Sequence, residues 1–282
     1  MPEAPSLRPS PIAGRWYESN PKSLARQVDA YMAGARLPEL PGELIAVLAP
    51  HAGHVYSGPV AGFAFAALRG RAPGLIALVG PFHDMHPAPF LISSYDAYAT
   101  PLGNVPIDRG SVEALEAALE SEGAPGLVPI ANDSEHSLEI ELPFLQRALS
   151  AEWKLLPVMV HTQEPRLARL LGRALAAALR GRNALLVAST DLSHYRDQAT
   201  ALTLDRAMLA EIESFNPEGA FDVQARGLGY ACGLGAFTAV LWAARELGGD
   251  TVRILNHATS GDVTGDMNAV VGYAAAAVLK TK

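Results

Sequence analysis

The chain of 282 residues carries 22 Lys and Arg against 29 Asp and Glu, a formal net charge of −7, and lacks the basic excess of a nucleic-acid binder. Hydrophobic residues make up 49% of it, enough for a large core, yet no apolar run approaches the ~20 residues of a membrane span. Its single cysteine, Cys232, excludes an internal disulfide and fits a reducing cytoplasm; Met1–Ser6 lacks the basic and apolar regions of a secretory signal.

Residues 1–20 read as irregular, with Pro2, Pro5, Pro9 and Pro11 ahead of Gly14-Arg15-Trp16-Tyr17. Ser19-Asn20-Pro21 predicts the start of a helix over Lys22–Ala35. A strand at 44–49 follows, then a helix from a Ser57 cap to about Leu68, and a strand at 75–80. A short strand near Phe90–Ser93 leads into a loop-like connection over 93–107. Asp108 precedes a helix to Glu120, and Ser137–Leu149 reads as a helix shortened or kinked by Pro143. Next come a strand at 155–160, a helix over Glu164–Leu179 with Pro165 in its first turn, and a strand at 184–189. Helices over Ala199–Ser214 and Gly233–Leu247, with strands near 251–256 and 269–277, complete the chain. Alternating strands and helices, with no linker and no repeat, predict one three-layer α/β domain spanning 1–282.

Polar residues end the apolar runs. His51 closes Leu44–Pro50, His83 closes Leu75–Phe82, and Asp191 and His194 follow Leu185–Thr190. If these runs are neighbouring strands, their ends converge on the rim where open α/β sheets bind ligands. In His51-Ala52-Gly53-His54 the imidazoles suit a metal, and Gly53 and Gly58 allow close backbone approach; a solvated surface loop fits equally. Asp84 offers His83 an orienting acceptor, or caps the next turn. Cys232 precedes a helix start, which lowers a thiol pKa; a small buried hydrophobe is the alternative. Asp191 and His194, three apart, suit an acid–base pair on one side of a tight or helical turn, or a cap and an exposed residue. Asp133-Ser134-Glu135-His136-Ser137 reads as helix capping, with His136 a lesser candidate for the same pocket. No Gly-x-Ser-x-Gly elbow, phosphate-binding Gly-x-x-x-x-Gly-Lys loop or Gly-x-Gly-x-x-Gly turn occurs.

Seven motifs occur in order: Ala13-Gly14-Arg15-Trp16-Tyr17, Pro50-His51-Ala52-Gly53, Gly80-Pro81-Phe82-His83, Glu135-His136-Ser137-Leu138-Glu139, Ser189-Thr190-Asp191-Leu192-Ser193-His194, Ala231-Cys232-Gly233 and Val271-Gly272-Tyr273-Ala274. Together, over essentially the whole chain, they resemble the Memo family, known in prokaryotes as AmmeMemoRadiSam system protein B. The resemblance implies a central mixed β-sheet flanked by helices, similar to class III extradiol dioxygenases of the LigB type. It implies a metal, Fe(II) first with Cu or Zn as alternatives, held by His51, His83 and Cys232. His194 falls on the acid–base position with Asp191 orienting it, and Trp16, Tyr56 and His136 line the same pocket. The expected partners are a small-molecule or peptide ligand, and companion proteins of AMMECR and radical-SAM type; no nucleic acid and no membrane. The sequence departs from the dioxygenases in offering Cys232 where they use a carboxylate, a softer donor that suits Cu(I) or Zn. It also has Asp84 and His54 where some Memo proteins have a second histidine and a tyrosine. A metal-dependent redox enzyme of unknown substrate is the first expectation. A non-catalytic ligand-binding module and a metal- or thiol-dependent hydrolase are the alternatives.

Overall fold

The computed structural model describes residues 6–282. The irregular reading of the N-terminus therefore falls partly on Met1–Pro5, outside the described residues. In chain order the elements are β1 (Leu7–Arg8), α1 (Pro21–Gly34), β2 (Glu43–Ala49), α2 (His54–Ala66), β3 (Leu75–Pro81), β4 (Phe90–Ser93), β5 (Ala97–Thr100), β6 (Gly103–Pro106), α3 (Arg109–Ser121) and β7 (Val128–Ile130). A single 3-10 turn (Glu139–Glu141) leads into α4 (Leu142–Ala148), β8 (Lys154–Val160), α5 (Pro165–Leu179), β9 (Ala184–Ser189) and β10 (His194–Arg196). The remainder is α6 (Gln198–Glu213), α7 (Pro217–Ala225), α8 (Leu234–Glu246), β11 (Thr251–Thr259), α9 (Gly261–Thr264) and β12 (Val270–Lys280).

The architecture is α/β, with a mixed sheet flanked by helices. The main sheet runs β10-β12-β2-β9-β3-β8-β4-β7, with β11 on β12. Its centre, β2-β9-β3-β8, is parallel, and β12 and β4 join it antiparallel. Every residue of β3 is buried, because helices cover both faces. α2 packs on α1 and α4 and against β2, β11 and β12; α8 packs on α5 and α7 and covers β2, β3, β8 and β9. Pro157, which has no N–H to donate, lies in β8 before β4 joins the ladder at Met159 and Val160.

This topology builds the rim. Ala49 pairs with Ser189, and Val79 with Ala188, so β2, β9 and β3 end side by side. His51, His83 and the Thr190–His194 segment leave the sheet there.

Several local expectations change. α2 starts at His54, not Ser57, whose hydroxyl bonds the Ala52 carbonyl at 2.7 Å. The 93–107 connection is not a loop: β5 and β6 form a hairpin that β1 extends. Pro143 stands in the first turn of α4, where its missing N–H costs nothing, and the preceding helix shrinks to the 3-10 turn. His194 begins a strand paired with β12 rather than a helical turn. Gly58 serves packing, not ligand approach, since a Cβ there would lie 2.5 Å from the Tyr31 ring of α1.

Candidate functional site

His51 enters the rim directly from β2 and is 2% exposed. Its backbone N–H donates to Asp191 Oδ1 at 2.8 Å, which ties the end of β2 to the segment after β9. Its Nδ1 lies 2.8 Å from Ser189 Oγ, and its Nε2 lies 3.1 Å from Cys232 Sγ. Burial, then the neighbouring His136 and His83, hold the His51 pKa well below the usual imidazole range.

His83 enters from β3. Its backbone N–H donates to Glu135 Oε2 at 2.6 Å, and its Nδ1 lies 3.0 Å from both carboxylate oxygens. The same carboxylate accepts the backbone N–H groups of His136 at 2.8 Å and Ser137 at 2.7 Å. Burial opposes charge on Glu135, but these bonds and the His83 imidazole hold its pKa far below the usual carboxylate range. Burial likewise opposes charge on His83, and Glu135 raises its pKa above normal despite that. His136 stacks on His83 at 4.7 Å with 11° between the rings, and its pKa is lowered to about 4 by burial. The donor nitrogens of His51, His83 and His136 lie within 4.8 Å of one another.

Cys232 lies two residues before α8, next to its N-cap Gly233. Gly233 permits the approach, since a Cβ there would lie 2.7 Å from the Ser189 carbonyl. Cys232 Sγ also accepts from the Asp191 backbone N–H at 3.2 Å. The helix start does not depress this thiol; burial, then the Asp191 carboxyl, push its pKa up. Asp191 itself is pushed up to about 7 by burial, against the hydrogen bonds it accepts from the backbone of His51 and Ala52.

The expected Asp191–His194 pairing is not what the fold builds. Asp191 turns inward to the 51–52 backbone, while His194 gives its Nδ1 proton to the Leu192 carbonyl at 2.7 Å. His194 instead lies between the rings of Tyr195 and Tyr230, at 5.7 and 5.4 Å. Its Nδ1–H bond leaves Nε2 as the basic atom. Asp84 does not orient His83 either; it accepts from Ser134 Oγ at 3.2 Å, and Glu135 takes the orienting position. Read as part of a helix cap, Glu135 gave itself away only by standing in a polar run beside a histidine. His54 turns away into the core, with Nε2 on the Ile140 carbonyl at 2.9 Å and its ring against Tyr17 and Phe144.

Beside the histidines opens a cavity of about 600 Å³, walled by Trp16, Tyr56, Tyr195 and Tyr273, with Arg15 and Asp266 on it. Trp16 joins the two regions, since its ring lies 4.2 Å from that of His136. Tyr195 has φ +54°, a strained backbone for a bulky residue, of the kind that gathers at functional sites.

These residues fit a soft or borderline divalent metal. Neutral imidazoles and a thiol are its preferred donors, and two of them already face each other across 3.1 Å. The ring planes do not choose between His83 and His136, since His51 stands edge-on to both, at 84° and 85°.

The family described as Memo-like protein matches residues 8–277. A MEMO1 family protein of Pyrobaculum aerophilum is 34% identical over 277 residues, covering 95% of this chain and 97% of its own length. One of Methanothermobacter thermautotrophicus is 35% identical (95% and 99% covered), and one of Thermotoga neapolitana 35% (96% and 99%). A solved structure of an uncharacterized protein from Escherichia coli K12 superposes with a TM-score of 0.45 at 12% identity over 83% of this chain and 99% of its own, too distant to inform function. With the match running from β1 into β12 and the relatives aligned nearly end to end, the chain belongs to the Memo-like protein family.

Proposed function

We propose that this protein is a metal-binding protein of dioxygenase-like design whose ligands are His51, His83 and Cys232. The observation that supports the reading is the cluster of His51, His83 and His136 donor nitrogens, with Cys232 Sγ outside it but 3.1 Å from His51 Nε2. Fe(II), or Cu or Zn in its place, is the proposed ion, and Fe(II) or Cu would supply redox chemistry toward an organic substrate. Ser189 and Glu135 hold the Nδ1 edges of His51 and His83, so that each ring presents Nε2. His194, whose Nδ1 bonds the Leu192 carbonyl, is the proposed acid–base residue, acting through Nε2. Trp16, Tyr56 and Tyr195 wall a cavity suited to a flat organic molecule or an aromatic side chain, and His136 stands between it and His83.

A thiol hydrolase is the reading that the Cys232–His51 contact also invites. The direction of the Cys232 pKa speaks against it, because a nucleophilic thiol needs a depressed pKa and burial here raises it. A thiol that ionises only when a cation replaces its proton is a ligand.

The test is metal content, by elemental analysis, of protein purified without added metal. Wild type is expected to hold close to one iron, copper or zinc per chain, and Cys232→Ala a small fraction of that. Equal occupancy in both would remove Cys232 from the ligand set. Turnover in metal-free protein would favour the thiol reading.

A further inference from the structure

Behind His51 lies a buried polar pair, Ser189 and Glu141, that meets the candidate site through His51 Nδ1. Ser189, at the end of β9, is fully buried, and its hydroxyl has three neighbours. They are the Ser137 carbonyl oxygen at 2.7 Å, His51 Nδ1 at 2.8 Å and Glu141 Oε1 at 2.9 Å. Glu141, in the 3-10 turn, is 1% exposed, and its second oxygen has no partner.

One hydroxyl has one proton and two lone pairs. A carbonyl can only accept, so the Ser189 proton goes to Ser137. The other two contacts must then be donated to Ser189. His51 therefore carries its proton on Nδ1, and Glu141 carries one on Oε1. The alternative, an ionised Glu141 taking the serine proton, leaves two acceptor oxygens facing each other at 2.7 Å. It also buries an anion with an orphaned oxygen and no cation among its bonded partners. Burial raises the Glu141 pKa well above the carboxylate range, in the same direction.

We infer that Glu141 is a permanently neutral carboxylic acid which, through Ser189, locks His51 as the Nδ1–H tautomer and so aims a bare Nε2 lone pair at Cys232. Glu141 and Ser189 are positioning residues. The proton between Cys232 and His51 is then the thiol's own, and it lies where a metal ion would take its place. The inference deepens the metal-centre reading but is a property of the metal-free protein, so the two can fail separately.

The test is nitrogen NMR of the imidazoles in metal-free protein at neutral pH, with the His51 signals assigned by their loss in His51→Gln. The expected result is a single tautomer protonated at Nδ1. Glu141→Gln, whose amide donates the same hydrogen bond, keeps it, and Ser189→Ala releases it to a mixture. Infrared difference spectra of wild type against Glu141→Gln are expected to lose a protonated-carboxyl stretch. Zinc competition titration is expected to show a roughly 10- to 100-fold loss for Ser189→Ala and only a few-fold loss for Glu141→Gln. An Nε2-protonated His51, or an infrared spectrum with no protonated carboxyl to lose, overturns the inference. A locked Nδ1–H tautomer in a protein that takes up no metal would support it while removing the metal-centre reading.

Discussion

Glu135 binds His83 twice, once through the backbone N–H at 2.6 Å and once through Nδ1 at 3.0 Å. A buried carboxylate from the loop before α4 thus sets both the position and the ring orientation of a histidine 52 residues earlier. Because it also caps the N–H groups of His136 and Ser137, one side chain assembles half of the rim.

Removing that carboxylate is costly. Glu135→Ala leaves several buried N–H groups without acceptors, an expected loss of roughly 3 kcal/mol in urea unfolding. In protein that still folds, metal affinity is expected to fall about 10- to 100-fold, read by chelator competition. Asp84→Ala is the control, because Asp84 bonds Ser134 and not His83; it is expected to change affinity by less than about threefold, a difference under 1 kcal/mol.

The stacked pair makes unequal contributions. His83→Ala is expected to abolish stoichiometric metal binding, whereas His136→Ala retains it, since the proposed ligand set includes His83, whose ring Glu135 orients at Nδ1, and not His136. Elemental analysis of the two variants reads the difference. Retention by His83→Ala with loss in His136→Ala would exchange their roles.

His54 links stability to pH. Burial holds its pKa down to about 4, from an ordinary value of 6.5. Above pH 6.5 both folded and unfolded chains carry it neutral, and its full contribution is present. As the pH falls from 6.5 toward 4 only the unfolded chain takes the proton, so stability drops by about 1.4 kcal/mol per pH unit. Urea denaturation of wild type and His54→Gln between pH 7.5 and 4.5 isolates this share. Parallel pH profiles for the two proteins would show that His54 is not the group responsible.

Arg8 anchors the same loop from β1. Its guanidinium bonds Asp133 at 2.6 Å, Glu139 at 2.7 Å and the Glu135 carbonyl at 2.6 Å, and lies over the Tyr98 ring. Arg8→Met strands two buried carboxylates and is expected to cost about 3–5 kcal/mol by chemical denaturation. Metal affinity is expected to weaken with it, because the backbone carrying Glu135 loses its tether.

The layout of the sheet was legible in the chain. Apolar runs bounded by Pro, Gly and polar residues mark strands through local periodicity alone, and so β2, β3, β8 and β9 were placed within a residue or two. That a polar residue follows each run was equally local, and it pointed to one rim. Short two-sided elements such as β5, β6 and β10 carry too little periodicity to announce themselves.

Which polar side chains share the rim was decided only by tertiary structure. His51 and His54 stand three apart and read alike. The turn into α2 directs one to the rim and the other into the core, where the Ile140 carbonyl receives it. Asp84 is adjacent to His83 in sequence, yet Glu135 bonds it, because the backbone of the 133–137 loop closes over the end of β3. Asp191 and His194 have the spacing of a pair, but Asp191 accepts from the His51 backbone while His194 bonds the Leu192 carbonyl as it enters β10. Local patterning determines where a chain is extended or helical. The direction of a side chain at a strand end depends on partners far away in the chain, such as Glu141 for Ser189, 48 residues apart, or Cys232 for His51, 181 apart, and only the closed fold brings them there.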